Sequence, residues 1–291
     1  MLEIKGLNKR YGRTVALKDL ECKLDTGVYG LLGPNGSGKT TLMNILTSNV
    51  KSDGGAVFFQ GREIERDKEF RRQVGYMPQY CEMIPGFSVI DFLGYMAALK
   101  GLEKKQALLQ IRELLERFFS VDVMDKKIAS LSGGMKQRLM LIQAFLGDPK
   151  LVLLDEPTAG LDPMQRVAVK NFIAEKASNR TILIATHILS DVEGISRGLL
   201  CLQKGTCIFQ GTSEEFALHA SGMVWGYGGT RAEEPDVSKK GSILSARTEG
   251  EKVDYRILSP EKPFPSANPL PPTPEDAYAL FYGERYEADP I

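Results

Sequence analysis

Apolar residues recur in two spacings along the early part of the chain. Leu2–Leu7 and Val15–Leu24 alternate apolar with polar positions, as half-buried strands do, and Tyr11-Gly12 sits in the turn between them. Val28–Leu32, Ala56–Gln60 and Val74–Met77 read as further short strands. Leu151–Leu154 and Thr181–Ala185 are apolar at nearly every position, the pattern of a parallel sheet covered on both faces. Helical spacing governs Thr40–Thr47 and the long stretch Val89–Phe119, where Phe92, Tyr95, Met96, Leu99, Ile111, Leu114 and Phe118 fall in step. Leu199–Leu202 and Thr206–Phe209 flank Lys204-Gly205, which predicts a hairpin.

The texture changes near Gly211. Ser213–Ala220 reads as a short helix, and Ile243–Thr248 and Val253–Leu258 alternate across a charged turn at Gly250. Eight of the 15 prolines follow residue 259, yet Pro274–Tyr282 keeps helical spacing behind a Thr273 cap, with Ala277, Leu280 and Phe281 expected to face inward. Residues 212–291 therefore read as a small α/β unit closed by a proline-rich strap, with a partly disordered tail as the alternative.

Composition narrows the possibilities. In 291 residues, 37 basic side chains cancel 37 acidic ones, so a global electrostatic hold on nucleic acid is not expected. Four cysteines without a CxxC pair make neither a disulfide framework nor a zinc site and suit a reducing compartment. No export signal is expected at the N-terminus, and no apolar run approaches the ~20 residues that cross a bilayer.

Three segments carry chemistry. Gly33-Pro34-Asn35-Gly36-Ser37-Gly38-Lys39-Thr40 fits GxxxxGK[ST] between a predicted strand and a predicted helix. Glycines let several backbone N–H groups converge on one pyrophosphate, and the helix dipole adds positive potential there. Lys39 would reach the β- and γ-phosphates and Thr40 would ligate Mg²⁺. Leu151–Leu154 runs into Asp155-Glu156: a carboxylate at the end of such a strand suits the metal, and the next one suits a general base. Leu131-Ser132-Gly133-Gly134-Met135-Lys136-Gln137-Arg138 opens a second helix N-terminus fit for an anion. One nucleotide has no evident need for two such termini from one subunit, so the second is expected to serve a nucleotide held by another subunit. Standing alone, that segment would be an ordinary serine cap.

With these segments in this order, the chain resembles the ATP-binding subunit of an ATP-binding cassette (ABC) transporter over about residues 1–212. The motifs LSGGMKQR and LVLLDEPTAGLD carry the resemblance. It implies an α/β P-loop NTPase fold of the ABC type: a mixed sheet core, antiparallel N-terminal strands and a helical subdomain. The cassette would occupy 1–211, the helical subdomain about 80–148, and the accessory unit 212–291. It also implies ATP and Mg²⁺ as cofactors. Tyr11 matches the aromatic that stacks on adenine, and Thr41 joins the phosphate-binding residues. Gln79 matches the glutamine that touches Mg²⁺ or the lytic water. Asp162 matches the loop that crosses the dimer interface, and His187 the histidine at the γ-phosphate. His187 also follows a predicted strand at the same edge as Asp155, which suits a site residue without the family.

The expected mechanism is a homodimer or heterodimer holding two ATP molecules, each between one subunit's Gly33–Thr41 and the other's Ser132–Gly134. A separate membrane permease is implied, placing the chain at the cytoplasmic face of the cell membrane. Part of the aromatic and methionine segment Tyr80, Met83, Phe87, Phe92, Tyr95, Met96 would form its docking groove. The segment Arg72–Gln79 and the Pro-Glu-Asp-Ala-Tyr helix resemble the bacterial exporter branch. A regulatory cassette acting on a cytosolic partner is the alternative reading. The accessory unit is expected to serve packing or dimer regulation.

Overall fold

The computed structural model describes residues 1–67, 69–80, 84 and 86–283; Met83 of the proposed groove lies outside them. In chain order, strands β1 (Leu2–Tyr11), β2 (Thr14–Leu24) and β3 (Gly27–Leu32) lead into helix α1 (Lys39–Leu46). Strands β4 (Gly54–Phe59), β5 (Arg62–Glu63) and β6 (Val74–Met77) follow, then α2 (Val89–Leu99), α3 (Lys104–Glu116) and α4 (Gly133–Phe145). The unit closes with β7 (Leu151–Asp155), α5 (Pro163–Glu175), β8 (Thr181–Thr186), β9 (Gly198–Gln203) and β10 (Thr206–Gly211).

The chain forms two compact units, Met1–Gln210 and Gly211–Ile291. In the first, β2-β1-β4-β5 make an antiparallel sheet. The second sheet runs β10-β9-β3-β8-β7-β6, with β9, β3, β8, β7 and β6 paired in parallel. Strands β7 and β8 are buried at every position, which their unbroken apolar runs require. Leu42, Met43 and Leu46 of α1 share one core cluster with Leu2, Leu17 and Leu20 of the first sheet and Leu31, Leu153 and Leu183 of the second. That shared core fixes where the helix begins.

The predicted Val89–Phe119 helix is two helices. Ser88 caps α2 in a reciprocal box with Asp91, and the break falls at Gly101, whose φ of 78° no helix continues through. The apolar rhythm continues across the break and hides it. Tyr95 and Leu99, in step with the buried Phe92, lie exposed. Helix α5 was not evident from apolar spacing; its signal is Asp162-Pro163, an N-cap followed by proline at the first helical position.

In the second unit, α6 (Ser213–Ala217), β11 (Val224–Thr230), α7 (Glu234–Lys240), β12 (Ser242–Glu249), β13 (Lys252–Leu258), β14 (Asn268–Pro269) and α8 (Pro274–Tyr282) follow one another. The sheet order is β12-β13-β11-β14. Val237, Val253, Tyr255 and Ile257 form its core. Thr273 caps α8 as expected, while Asp276, almost fully buried, takes two hydrogen bonds from Arg256 at 2.8 and 2.6 Å. Ala277 is buried; Leu280 and Phe281 are half-buried, and the Phe281 ring stacks on Phe216.

Candidate active site

Strand register brings the motifs together. Leu32 pairs with Thr186, Asp155 with Ala185, and Met77 with Leu154. The residues that leave these strands, Gly33, His187, Glu156 and Gln79, therefore emerge at one carboxyl edge of the parallel sheet, where open α/β sheets bind ligands.

The Gly33–Thr40 loop wraps tightly. A Cβ on Gly33, whose φ is 153°, would stand 2.4 Å from the Leu202 carbonyl oxygen and 2.6 Å from Ser37 Oγ, so only glycine fits. Gly36 and Gly38 also have positive φ, Pro34, Asn35 and Gly36 are exposed, and Ser37 Oγ is buried without a hydrogen-bond partner among the described residues. Lys39 Nζ donates to the carbonyls of Gly33 at 2.6 Å and Pro34 at 3.1 Å, arching the side chain back over the loop. Burial lowers the Lys39 ammonium from its ordinary value, and Glu156 and Asp155 oppose that shift. Thr40 is exposed and Thr41 half-buried in the first turn of α1.

Asp155 ends β7 at 2 % exposure. Burial, reinforced by the charge of Glu156, pushes its carboxyl up to about 6, against Lys39 and a hydrogen bond from Thr40. Among the described residues, Asp155 Oδ2 has no hydrogen-bond partner. A buried, unsatisfied carboxylate oxygen beside a threonine hydroxyl and a phosphate loop is a hard-oxygen set that fits Mg²⁺, which is commonly held by one or two protein oxygens plus phosphates. When bound, Mg²⁺ supplies charge neutralisation at the β- and γ-phosphates.

Glu156 occupies the left-handed region at φ 51°. Such a backbone costs on the order of 1–3 kcal/mol and needs its surroundings to hold it. Its N–H donates to Ala185 O at 2.9 Å, and its carbonyl accepts from Gln137 Nε2 at 2.9 Å. The turn aims the side chain along the sheet edge, where Oε1 lies 2.7 Å from His187 Nδ1 and Oε2 3.2 Å from Thr186 Oγ1. The Glu156 side chain is 6 % exposed and that of His187 53 %, so the carboxylate is enclosed and the imidazole faces outward.

Ser132 caps α4 by accepting from Met135 N at 3.3 Å, and Ser132 and Gly133 are exposed. Helix α4 presses its backbone onto β6: a Cβ on Gly75 would meet the Ala144 carbonyl oxygen at 1.8 Å. Asp162, also exposed, caps α5 through Gln165 N at 2.8 Å. The Gln165 amide oxygen stands 2.9 Å from where a Cβ on Gly134 would lie, so the starts of α4 and α5 are neighbours. Gln79 is exposed just past β6. Tyr11 is 49 % exposed at the end of β1, with Lys9 Nζ 5.5 Å from its ring centroid. Lys18 N donates to Gly205 O and Gly205 N to Ser37 O, each at 2.9 Å, so the hairpin bearing Tyr11 is stitched to the phosphate loop.

Gln137 and Thr186 are not singled out by the sequence. Gln137 stands inside a quoted motif, but its bond to the Glu156 carbonyl depends on how α4 lies on the sheet. Thr186 stands beside His187, and its polar side chain at the end of an apolar strand was the available signal.

The ABC transporter family model matches residues 17–159. The chain is 36% identical over 214 residues to a Nod factor export ATP-binding protein I of Cupriavidus pinatubonensis, covering 72% of this chain and 66% of that protein. It is 32% identical over 264 residues to the daunorubicin resistance ATP-binding protein DrrA2 of Streptomyces coeruleorubidus, covering 88% of this chain and 81% of that one. A solved structure of an ATP-binding subunit of an ABC transporter superposes with a TM-score of 0.70 at 29% identity, covering 75% of this chain and 92% of its own. Among the described residues, no helix is long and apolar enough to cross a membrane. The phosphate loop, the Asp155-Glu156 strand end and these relatives converge: the chain belongs to the ABC transporter family, as an ATP-binding, ATP-hydrolysing motor subunit.

Proposed function

We propose that this chain works as half of a nucleotide-closed dimer, homomeric or with a near-copy, that drives a separate membrane permease from the cytoplasmic face. Each ATP is held by Gly33–Thr41 and Lys39 of one subunit and by Ser132–Gly134 of the other, with Tyr11 against adenine and Asp162 at the junction. The observation that carries the hydrolysis in this reading is the pairing of Glu156 with His187 at 2.7 Å, and the exposed helix N-terminus at Ser132 and Gly133 supports the shared site. Thr40, Asp155 and Gln79 hold Mg²⁺. Glu156 takes a proton from the attacking water, and His187 contacts the γ-phosphate. The catalysis is largely positioning and charge stabilisation by Lys39 and the two helix termini. Closure is a population shift drawn by contacts made only in the closed dimer.

The names of the two relatives support outward transport, and the exposed Tyr80, with the exposed Tyr95 edge-on to the half-buried Phe87, supports a permease groove. The buried Phe92 belongs to the core instead. The Gly211–Ile291 unit is assigned to packing or dimer regulation; deletion after Gly211 with unchanged ATPase and dimerisation removes that assignment. The direct test of the chemistry is Glu156→Gln. ATP binding should persist while turnover falls by at least about 100-fold; turnover at the parent rate removes Glu156 as the base.

A further inference from the structure

Asp191 is 3 % exposed, lies just after His187, and has no part in the chemistry above. Its Oδ2 accepts from Thr186 Oγ1 at 3.1 Å, while Oδ1 faces Arg166 Nη1 across 3.9 Å, too far for a hydrogen bond. The same threonine oxygen stands 3.2 Å from Glu156 Oε2. It is held in place by the Ile188 N–H, which donates to it at 3.0 Å. A hydroxyl carries one proton and can satisfy one of the two carboxylates at a time.

The surroundings decide which. Glu156 already has a donor in His187, whose Nδ1 faces Oε1 at 2.7 Å. Among the described residues, Thr186 is the one hydrogen-bond donor to the Asp191 carboxylate. A buried carboxylate without a donor is costly, so directing the threonine proton to Asp191 leaves both acids with one donor each.

We propose that Asp191 is a positioning residue for hydrolysis: it draws the Thr186 proton away from Glu156 and keeps Oε2 open to receive the proton of the attacking water. Removing Asp191 turns the hydroxyl onto Oε2, where its hydrogen bond takes one of the oxygen's two lone pairs and lowers its basicity toward the attacking water. The inference rests on Glu156 being the base.

Two measurements test it. Neutron diffraction from the deuterated, nucleotide-free chain should place the Thr186 deuteron on the line to Asp191 Oδ2; a deuteron on the line to Glu156 Oε2 overturns the proposal. In kinetics, Asp191→Ala should lower kcat by about tenfold or more with KM for ATP within about twofold, and the added change Thr186→Val should recover several-fold of that loss, because no hydroxyl remains to hydrogen-bond Oε2 and weaken it as a base. A merely structural Asp191 would give a double variant no better than Asp191→Ala, and that result also overturns it. Glu156→Gln, run alongside, separates the two failures. An inactive Glu156→Gln with a fully active Asp191→Ala sinks this inference alone, whereas a fully active Glu156→Gln sinks the reading beneath it.

Discussion

The Nδ1 atom of His187 lies 2.7 Å from Oε1 of Glu156, joining a residue after β8 to one after β7 across adjacent strand ends. A carboxylate can only accept, so Nδ1 carries the proton and Nε2 is left to face outward. His187→Ala therefore removes both the outward-facing nitrogen and the restraint on Glu156. It should lower ATP turnover by roughly 100-fold while nucleotide binding, read by titration calorimetry, stays within a few-fold. Loss of binding in step with turnover contradicts the assignment.

Asp155 makes stability depend on pH in a stated direction. Its buried carboxyl titrates at about 6, against about 3.9 for an ordinary aspartate. Between those values the native chain holds a proton that the unfolded chain has released. The favourable contribution is thus fully present at low pH and lost as pH rises through 6. Asp155→Asn has no such dependence. Its stability relative to the parent should climb between about pH 4 and 6, by at most about 3 kcal/mol, and stay level above. Urea denaturation in EDTA checks this; a difference constant across the window contradicts it.

Gln137 ties the helix that Ser132 caps to the strained peptide of Glu156. Gln137→Ala frees that carbonyl while leaving the Glu156 side chain in place. The expected outcome is a kcat reduced by about tenfold with KM for ATP unchanged, since binding groups on the phosphate loop are untouched. Steady-state kinetics decide it, and an unchanged kcat shows that the bond is dispensable.

Much of this site could be read in the sequence because its signals are local. Gly33–Thr40 needs glycines at fixed places, and an apolar strand that ends in Asp155-Glu156 announces its own direction. What escaped detection depends on contacts distant along the chain. Gln137 and Glu156 are 19 residues apart and Thr186 and Glu156 30 apart, and neither pair has a spacing that marks it. Apolar periodicity also misled where it was unbroken: Leu99 is in step with Phe92 yet 62 % exposed, and Gly101 parts a stretch that reads as one helix.

Tyr95 tests the permease groove. It is 48 % exposed and meets the Phe87 ring edge-on at 6.1 Å between centroids. Tyr95→Glu should abolish substrate transport by the assembled transporter while ATPase of the isolated chain stays within about twofold, because the change lies outside the nucleotide site. Full transport in this variant removes the groove assignment.

The composite site is tested most directly by nucleotide-dependent association. A Cβ added at Gly133 meets nothing within 4 Å among the described residues, so Gly133→Asp leaves the fold intact and alters only the exposed start of α4. In sedimentation velocity with saturating MgATP, Glu156→Gln should form a dimer, whereas Glu156→Gln/Gly133→Asp should bind ATP equally well and remain monomeric. Equal dimerisation of the two, or a Glu156→Gln chain that stays monomeric with nucleotide bound, contradicts a triphosphate shared between subunits.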